Sequence, residues 1–209
     1  MYTLKFISWN INGAKTKLEK TSVVDLLCQF DIIGLNEVKT TMRVSIPGYV
    51  SYRSRVGSGG HRGGTVAMVR RSLHNKVVGV DTSTPDQVWL RLAVLPNLLI
   101  GFVYIPPTDS PYFSPQQLSA IQERVRSAEE GTRFLILGDM NARFGEYVRD
   151  LPTAADIPDS HLYTYPDIPD QVIAANDNAR TLATICVDSK LIVLNNLKTP
   201  TQSFPSKLT

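Results

Sequence analysis

Apolar residues recur along the chain in short runs, most of them closed by an amide, an acid or a turn-forming residue. Runs of this length, bounded by Gly, Pro, Asn and Asp, predict β-strands. They fall at 4–9, 32–36, 49–54, 64–70, 77–80, 87–95, 98–105, 134–138 and 191–195. Along 87–95, Val88, Leu90, Leu92 and Val94 alternate with Trp89, Arg91, Ala93 and Leu95, so both faces are largely apolar. Such a strand is expected inside a packed sheet. Pro96-Asn97 is expected to turn it back into the next strand as an antiparallel hairpin. Helical periodicity is rarer. Ser114 as N-cap, Pro115 at the first position and Gln117 closing a capping box predict a helix over 115–130. Leu118, Ile121, Val125 and Ala128 form its apolar stripe, and Gly131 ends it. Residues 17–30, with Leu18, Leu26, Leu27 and Phe30 turned to the core, and 179–190, with Leu182 and Ile185, predict two more helices. Many strands and few helices fit an α/β arrangement of two packed sheets flanked by helices, rather than βαβ alternation.

The ends of three apolar runs carry the chemistry. Phe134-Leu135-Ile136-Leu137-Gly138 leads into Asp139 and Asn141; Ile7-Ser8-Trp9 leads into Asn10 and Asn12; Ile32-Ile33-Gly34-Leu35 leads into Asn36 and Glu37. Strands that each finish in Asn, Asp or Glu predict one oxygen-rich site fed from several directions. A hard divalent cation such as Mg²⁺ suits it, because Mg²⁺ takes one or two carboxylates, several waters and substrate phosphate oxygens. Tyr104, before Ile105-Pro106-Pro107, is either a packing aromatic with its hydroxyl at the surface or a phenol that hydrogen-bonds a scissile phosphate or the attacking water.

Composition adds limits. At 209 residues, with 43% hydrophobic and 20% charged positions, the chain is expected to form one soluble globular domain. A formal charge of +3 argues little about partners. The distribution says more. Arg53, Arg55, Arg62, Arg70, Arg71 and Lys76, with His61 and His74, crowd one stretch, and residues 150–177 are acidic. The cluster Gly57-Ser58-Gly59-Gly60-His61-Arg62-Gly63-Gly64 lacks the Gly-Lys-Ser/Thr ending of a nucleotide P-loop. It reads either as a flexible connection or as a phosphate-backbone contact, which Lys39, Arg43 and Lys15, Lys17 and Lys20 could extend. Cys28 and Cys186 read as buried reduced thiols, with no zinc-like spacing. No signal-peptide pattern and no membrane-length apolar run is present, so an intracellular protein without a membrane partner is expected. Residues 150–178, with Pro152, Pro158, Pro166 and Pro169, form a long connection of no clear periodicity.

Five ordered motifs make the reading specific: Ile-Ser-Trp-Asn-Ile-Asn-Gly (7–13), Leu-Asn-Glu-Val-Lys-Thr (35–40), Gly-Gly-Thr-Val-Ala-Met-Val (63–69), Val-Tyr-Ile-Pro-Pro (103–107) and Leu-Gly-Asp-Met-Asn-Ala (137–142). Together they resemble the endonuclease/exonuclease/phosphatase superfamily. The resemblance implies a DNase I-like four-layered sandwich of two mainly antiparallel sheets flanked by helices. Asn176-Asp177-Asn178-Ala179-Arg180-Thr181-Leu182, followed by 191–196, is similar to the endonuclease domains of non-LTR (LINE-type) retrotransposons, with abasic-site repair endonucleases next. The likeness implies Mg²⁺, with Mn²⁺ as its substitute, bound by Glu37 with Asn10 and Asn12. It implies that Asp139 orients or activates water, and that Asn141 and Tyr104 hold the phosphate, with Asn10 in the catalytic set. His61, Arg62, Lys39 and Asn178 would contact substrate. Double-stranded DNA and a reverse transcriptase domain of the same polyprotein are the implied partners, and the nucleus the implied place of action.

The expected product is a nick whose 3′-hydroxyl primes reverse transcription. Abasic-site repair, a lipid or inositol phosphatase, and a catalytically impaired nucleic-acid-binding remnant are the rival readings. The family's late Ser-x-x-Asp and Ser-Asp-His elements are absent before Thr209, and His61, His74 and His161 lie in the wrong regions to replace the histidine. The last strand or strands are therefore expected to be missing, through truncation, fragmentation or decay of the copy, the first two favoured because the earlier ligand positions are intact, and the chain as written is expected to be nearly inactive. Losing a positioned acid or base costs about 10²–10⁴-fold. Asn36 and Pro107 also stand where relatives often carry Gln and Asn.

Overall fold

All five residues of the strand Ile32–Asn36 are buried, because both of its faces meet apolar partners. In the computed structural model, which describes residues 3–55, 63–145, 147, 151–152 and 174–194, the elements run in this order. They are β1 (Phe6–Asn10), α1 (Ala14–Leu18), α2 (Thr21–Leu27), β2 (Ile32–Asn36), β3 (Tyr49–Arg53), β4 (Val66–Arg70), a 3₁₀ segment (Arg71–Lys76), β5 (Val77–Asp81), β6 (Gln87–Leu92), β7 (Leu95–Tyr104), α3 (Pro115–Arg126), β8 (Arg133–Asp139) and α4 (Asp177–Ser189). The chain divides into two compact units after Asn141.

The first unit contains two four-stranded mixed sheets, ordered β1-β2-β4-β3 and β5-β6-β7-β8. The β1/β2 and β7/β8 pairs are parallel and the others antiparallel. Three apolar layers hold it together. Ile33, Leu35, Val66 and Met68 pack outward against Ala14 and Leu27 of the helices. Ile32, Ala67 and Val69 pack inward against Val88, Leu90, Leu92, Ile100 and Phe102 of the other sheet. Trp89, Leu99, Val103 and Ile105 pack against Leu118 and Ile121 of α3. The sequence alternates sides with the period of two that strands require, and the result is helix, sheet, sheet, helix. That is the DNase I-like layering expected. Gly34 permits the closest approach of the sheets: a Cβ there would lie 1.9 Å from Phe102 Cδ1.

Several boundaries differ from the sequence reading. The helix expected over 17–30 is two helices broken at Glu19-Lys20, where Lys20 is extended. In one continuous helix Val23 would sit about 140° around the axis from Leu18, yet both pack on the same core. The hairpin turns at Ala93-Val94, not at Pro96-Asn97. Leu92 pairs with Leu95 while Arg91 pairs with Leu99, so Pro96-Asn97 sits in a bulge where no ladder N–H is required of proline. This also leaves Val94 47% exposed at the turn rather than packed. Helix α3 stops at Arg126, four residues before the expected end, since beyond it only Ala128 is apolar.

In the second unit α4 begins at Asp177, two residues earlier than expected, because the Asn176 side chain caps it by accepting the Ala179 N–H at 3.0 Å. The strand expected at 191–195 is not formed over its described part, 191–194. Lys190 turns left-handed, and Leu191 N–H bonds back to Cys186 O at 2.9 Å, which folds the chain onto the helix end. Cys186 is buried and Cys28 half-buried, both as free thiols; burial pushes the Cys186 thiol up to about 11. No described helix is long and apolar enough to cross a membrane.

Candidate active site

Parallel pairing brings the chemistry together. Asn10 lies opposite Asn36 at the carboxyl ends of β1 and β2, and Tyr104 opposite Asp139 at the ends of β7 and β8. The chain leaves these ends through tight turns. Asn12 (φ 45°), Glu37 (φ 51°), Lys39 (φ 47°) and Asn141 (φ 45°) are all left-handed, four of the six such non-glycine residues among those described. Clustered strain of this kind persists only where surrounding bonds fix it. Here Ile11 N–H bonds Asn36 O at 3.0 Å, Gly13 N–H bonds Glu37 O at 2.8 Å and Ala14 N–H bonds Val38 O at 2.9 Å.

Asn10 is the keystone. Its Nδ2 donates to Glu37 Oε1 at 2.8 Å and to Asp139 Oδ2 at 2.7 Å, tying two carboxylates from different sheets to one amide. Its Oδ1 accepts Asn12 N–H at 3.1 Å, which leaves that oxygen a second lone pair. Asp139 Oδ1 accepts Asn141 N–H at 3.0 Å, and Asn141 Nδ2 donates to Ile105 O at 2.9 Å. The Tyr104 hydroxyl lies close enough to the Glu37 carboxylate to help hold its pKa down. Burial, then the charge of Glu37, drives the phenol's pKa upward, so Tyr104 stays protonated as a donor.

Lys39 Nζ lies 2.7 Å from Glu37 Oε2 and 2.6 Å from Asn12 Oδ1. Burial pushes the Glu37 carboxyl up, but Lys39, Asn10 and Tyr104 together hold it below its ordinary value. An ammonium seated between a carboxylate and an amide oxygen shows that these oxygens converge on a point suited to positive charge. A hard divalent cation fits the same donors, since one or two carboxylates suffice for it. Among the described residues no three His, Cys, Asp or Glu side chains cluster, so a thiol or imidazole cation site is not formed by them.

The structure thus brings Asn10, Asn12, Glu37, Lys39, Tyr104, Asp139 and Asn141 to one end of the first unit. Asn178 is fully buried near the start of α4 in the second unit. His61 and Arg62, with most of the glycine cluster, lie outside the described residues, as do His161 and most of 150–178. The basic stretch does not form a single surface. β4 runs antiparallel to β2, so Arg70 lies at the end of the sheet away from Glu37. There its Nε pairs with Asp31 at 3.2 Å and its Nη2 donates to Cys28 O at 2.7 Å, while His74 Nδ1 is 2.8 Å from the Tyr52 hydroxyl. Arg53 is at the near end, where its guanidinium donates to Met42 O at 3.1 Å and to Thr40 O. The sequence reading named Asn36 at its strand end but not the buried bonds it makes there. Asn36, fully buried, accepts from Ser8 Oγ at 3.4 Å and donates to Thr65 Oγ1 at 3.0 Å, supporting the turn that carries Glu37. The signal was a polar residue at a position facing two buried neighbours.

Residues 7–188 match the Endonuclease/Exonuclease/phosphatase family. The chain belongs to that family. Two Drosophila melanogaster proteins are similar in sequence, the probable RNA-directed DNA polymerase from transposon X-element and the RNA-directed DNA polymerase from mobile element jockey. Each is 28% identical over 150 residues, covering 68% of this chain and 15% of the relative. The chain thus matches only a small part of those relatives' length. In three dimensions the family fold is shared with the AP endonuclease LMAP from Leishmania major, at 14% identity and TM-score 0.59, over 89% of this chain and 66% of that one. This family member thus shares its fold with an AP endonuclease and is similar over part of its length to two transposon polymerases.

Proposed function

We propose that the chain is the DNA-nicking endonuclease domain of a non-LTR retrotransposon polyprotein, using Mg²⁺ to hydrolyse a phosphodiester and leave a 3′-hydroxyl that primes a reverse transcriptase domain. The observation that carries this reading is the single Asn10 amide joining Glu37 and Asp139, with Lys39 already marking a cation position beside them. The likeness to transposon polymerases supports the choice of a retrotransposon over a repair enzyme.

Glu37 and Asn12 would hold the cation, which supplies Lewis-acid stabilisation of charge on the phosphate. Asp139, held by the Asn10 amide and the Asn141 N–H, would orient and deprotonate the attacking water. Tyr104 would keep its proton and donate a hydrogen bond from its phenol to a phosphate oxygen as charge builds there, while the P–O3′ bond breaks and the leaving 3′-oxygen takes up a proton from solvent. Neutral amide and phenol donors suit a target that is already anionic, because they add no repelling charge.

The test is nicking of supercoiled plasmid by the protein, including whatever sequence follows Thr209 in its reading frame. Open circles that require Mg²⁺ and decline by about 10²–10⁴-fold in Asp139→Ala are expected, with a comparable loss in Glu37→Ala. Absence of metal-dependent nicking, or nicking undiminished in both variants, would reject the proposal.

A further inference from the structure

Asp86 is the other left-handed acid of the first unit (φ 59°), and it is 8% exposed at the start of β6. Burying a carboxylate is costly unless it is well bonded, and burial pushes its pKa up against the opposing pull of Gly64 N–H and Arg53. Among the described residues, all but one of its bonds lead to the site. Its Oδ1 accepts Gly64 N–H at 2.7 Å. The carbonyls of Gly63 and Gly64 in turn accept Lys39 N–H at 3.0 Å and Val38 N–H at 3.1 Å, so this short segment clamps the turn that presents Glu37. A side chain at Gly63 would meet Asp86 Oδ1 at 2.9 Å, which shows how closely the Asp86 carboxylate lies against the Gly63–Gly64 backbone. The Asp86 carbonyl accepts both Thr65 Oγ1 and Tyr104 N–H at 2.9 Å, and Thr65 Oγ1 is the acceptor for buried Asn36. Oδ2 accepts Gln117 Nε2 at 3.2 Å, anchoring the whole to α3, where Gln117 Oε1 also accepts Ser114 N–H.

Glu37 and Tyr104 belong to different sheets, and one residue bonds the supports of both. We infer that Asp86 is a positioning residue for the proposed cleavage: it sets the Glu37–Lys39 turn against Tyr104, and so fixes the cation-holding carboxylate relative to the phenol that serves the phosphate. This rests on the metal-dependent nuclease reading above. A misplacement near 1 Å costs about 10²-fold in rate, so the clamp acts on turnover rather than on DNA binding.

Three variants test it: Asp86→Ala, Asp86→Asn, and Asp86→Asn combined with Gln117→Glu. In Asp86→Asn the new amide faces the Gln117 amide, donor against donor; Gln117→Glu restores an acceptor there and keeps one for Ser114 N–H. Amide hydrogen exchange at Val38, Lys39 and Tyr104 is measured with Mn²⁺ half-saturation and with kcat and KM for duplex nicking. Expected in Asp86→Ala are exchange at least tenfold faster at Val38 and Lys39 but unchanged at Ile33, Leu35 and Tyr104, whose acceptor is the main-chain carbonyl of residue 86, with weaker Mn²⁺ binding and kcat lowered about 10²-fold at near-constant KM. The double variant should regain most of what Asp86→Asn loses, even if Asp86→Ala does not fold. Parent-like exchange and kcat in Asp86→Ala, or a kcat loss that the double variant does not recover, overturns the inference. If the parent protein binds no Mn²⁺ and nicks no DNA, the nuclease reading falls, while exchange at Val38 and Lys39 still decides whether Asp86 holds the turn.

Discussion

Asn10 and Asp139, 129 residues apart in sequence, meet at 2.7 Å through one amide hydrogen bond, and the same nitrogen reaches Glu37 at 2.8 Å. Without that donor the two carboxylates would face each other across the site, and like charges at such distances raise a carboxyl pKa and push the groups apart. Asn10→Ala removes the donor, and Asn10→Asp adds a third acid. Both should lower Mg²⁺-dependent nicking by about 10²-fold or more. A parent-like nicking rate in Asn10→Ala would show that the bridge is incidental.

The packing of the two sheets depends on Gly34 in the same direct way. The Cβ of Gly34→Ala would overlap the Phe102 ring, and overpacking a filled core costs about 1–3 kcal/mol. For a chain of this size each kcal/mol lowers Tm by about 2–4 °C. Combining Gly34→Ala with Phe102→Leu should recover part of the loss, as read by thermal melting. Additive losses in the double variant would contradict this contact.

Away from the site, Asp81 pairs with Arg124, whose guanidinium also stacks over Trp89 at 5.1 Å. Burial raises the Asp81 carboxyl, but Ser83 and Arg124 outweigh it and bring it down to about 2 from 3.8. A carboxyl depressed in the folded state contributes stability above its unfolded pKa and loses it as pH falls through its folded one. The stability difference between parent and Asp81→Asn should therefore shrink as pH falls from 3.8 toward about 2. A constant difference across that range, by denaturant unfolding, would show that the pair does not shift the titration.

The apolar runs were the most legible part of the sequence. Ile32 to Asn36 and Phe134 to Gly138 both read as fully buried strands. Both are strands, but only the first is buried, since Phe134 to Leu137 are half-buried and Gly138 is exposed. Turns and breaks were less legible. Nothing local distinguishes Ala93-Val94 from Pro96-Asn97 as the turn; the pairing of Leu92 with Leu95 decides it. The break at Glu19-Lys20 is set by a shared packing surface, which helical periodicity alone does not contain. Asp86 and Thr65 were illegible for a similar reason. Their partners are backbone groups of distant segments, and spacing in sequence says nothing about those. Spacing in the basic stretch was equally uninformative about placement, because antiparallel strands carry Arg53 and Arg70 to opposite ends of one sheet.

In the proposed nuclease, Glu37 and Asn12 hold one divalent cation beside Asp139. The most direct measurement is the anomalous scattering of crystals grown with Mn²⁺, for the parent protein and for Glu37→Gln and Asp139→Asn. One peak at the side-chain oxygens of Glu37 and Asn12 is predicted, lost in Glu37→Gln and kept in Asp139→Asn, with nicking lost in both. A peak that lies elsewhere, or one that persists unchanged in Glu37→Gln, would contradict the account.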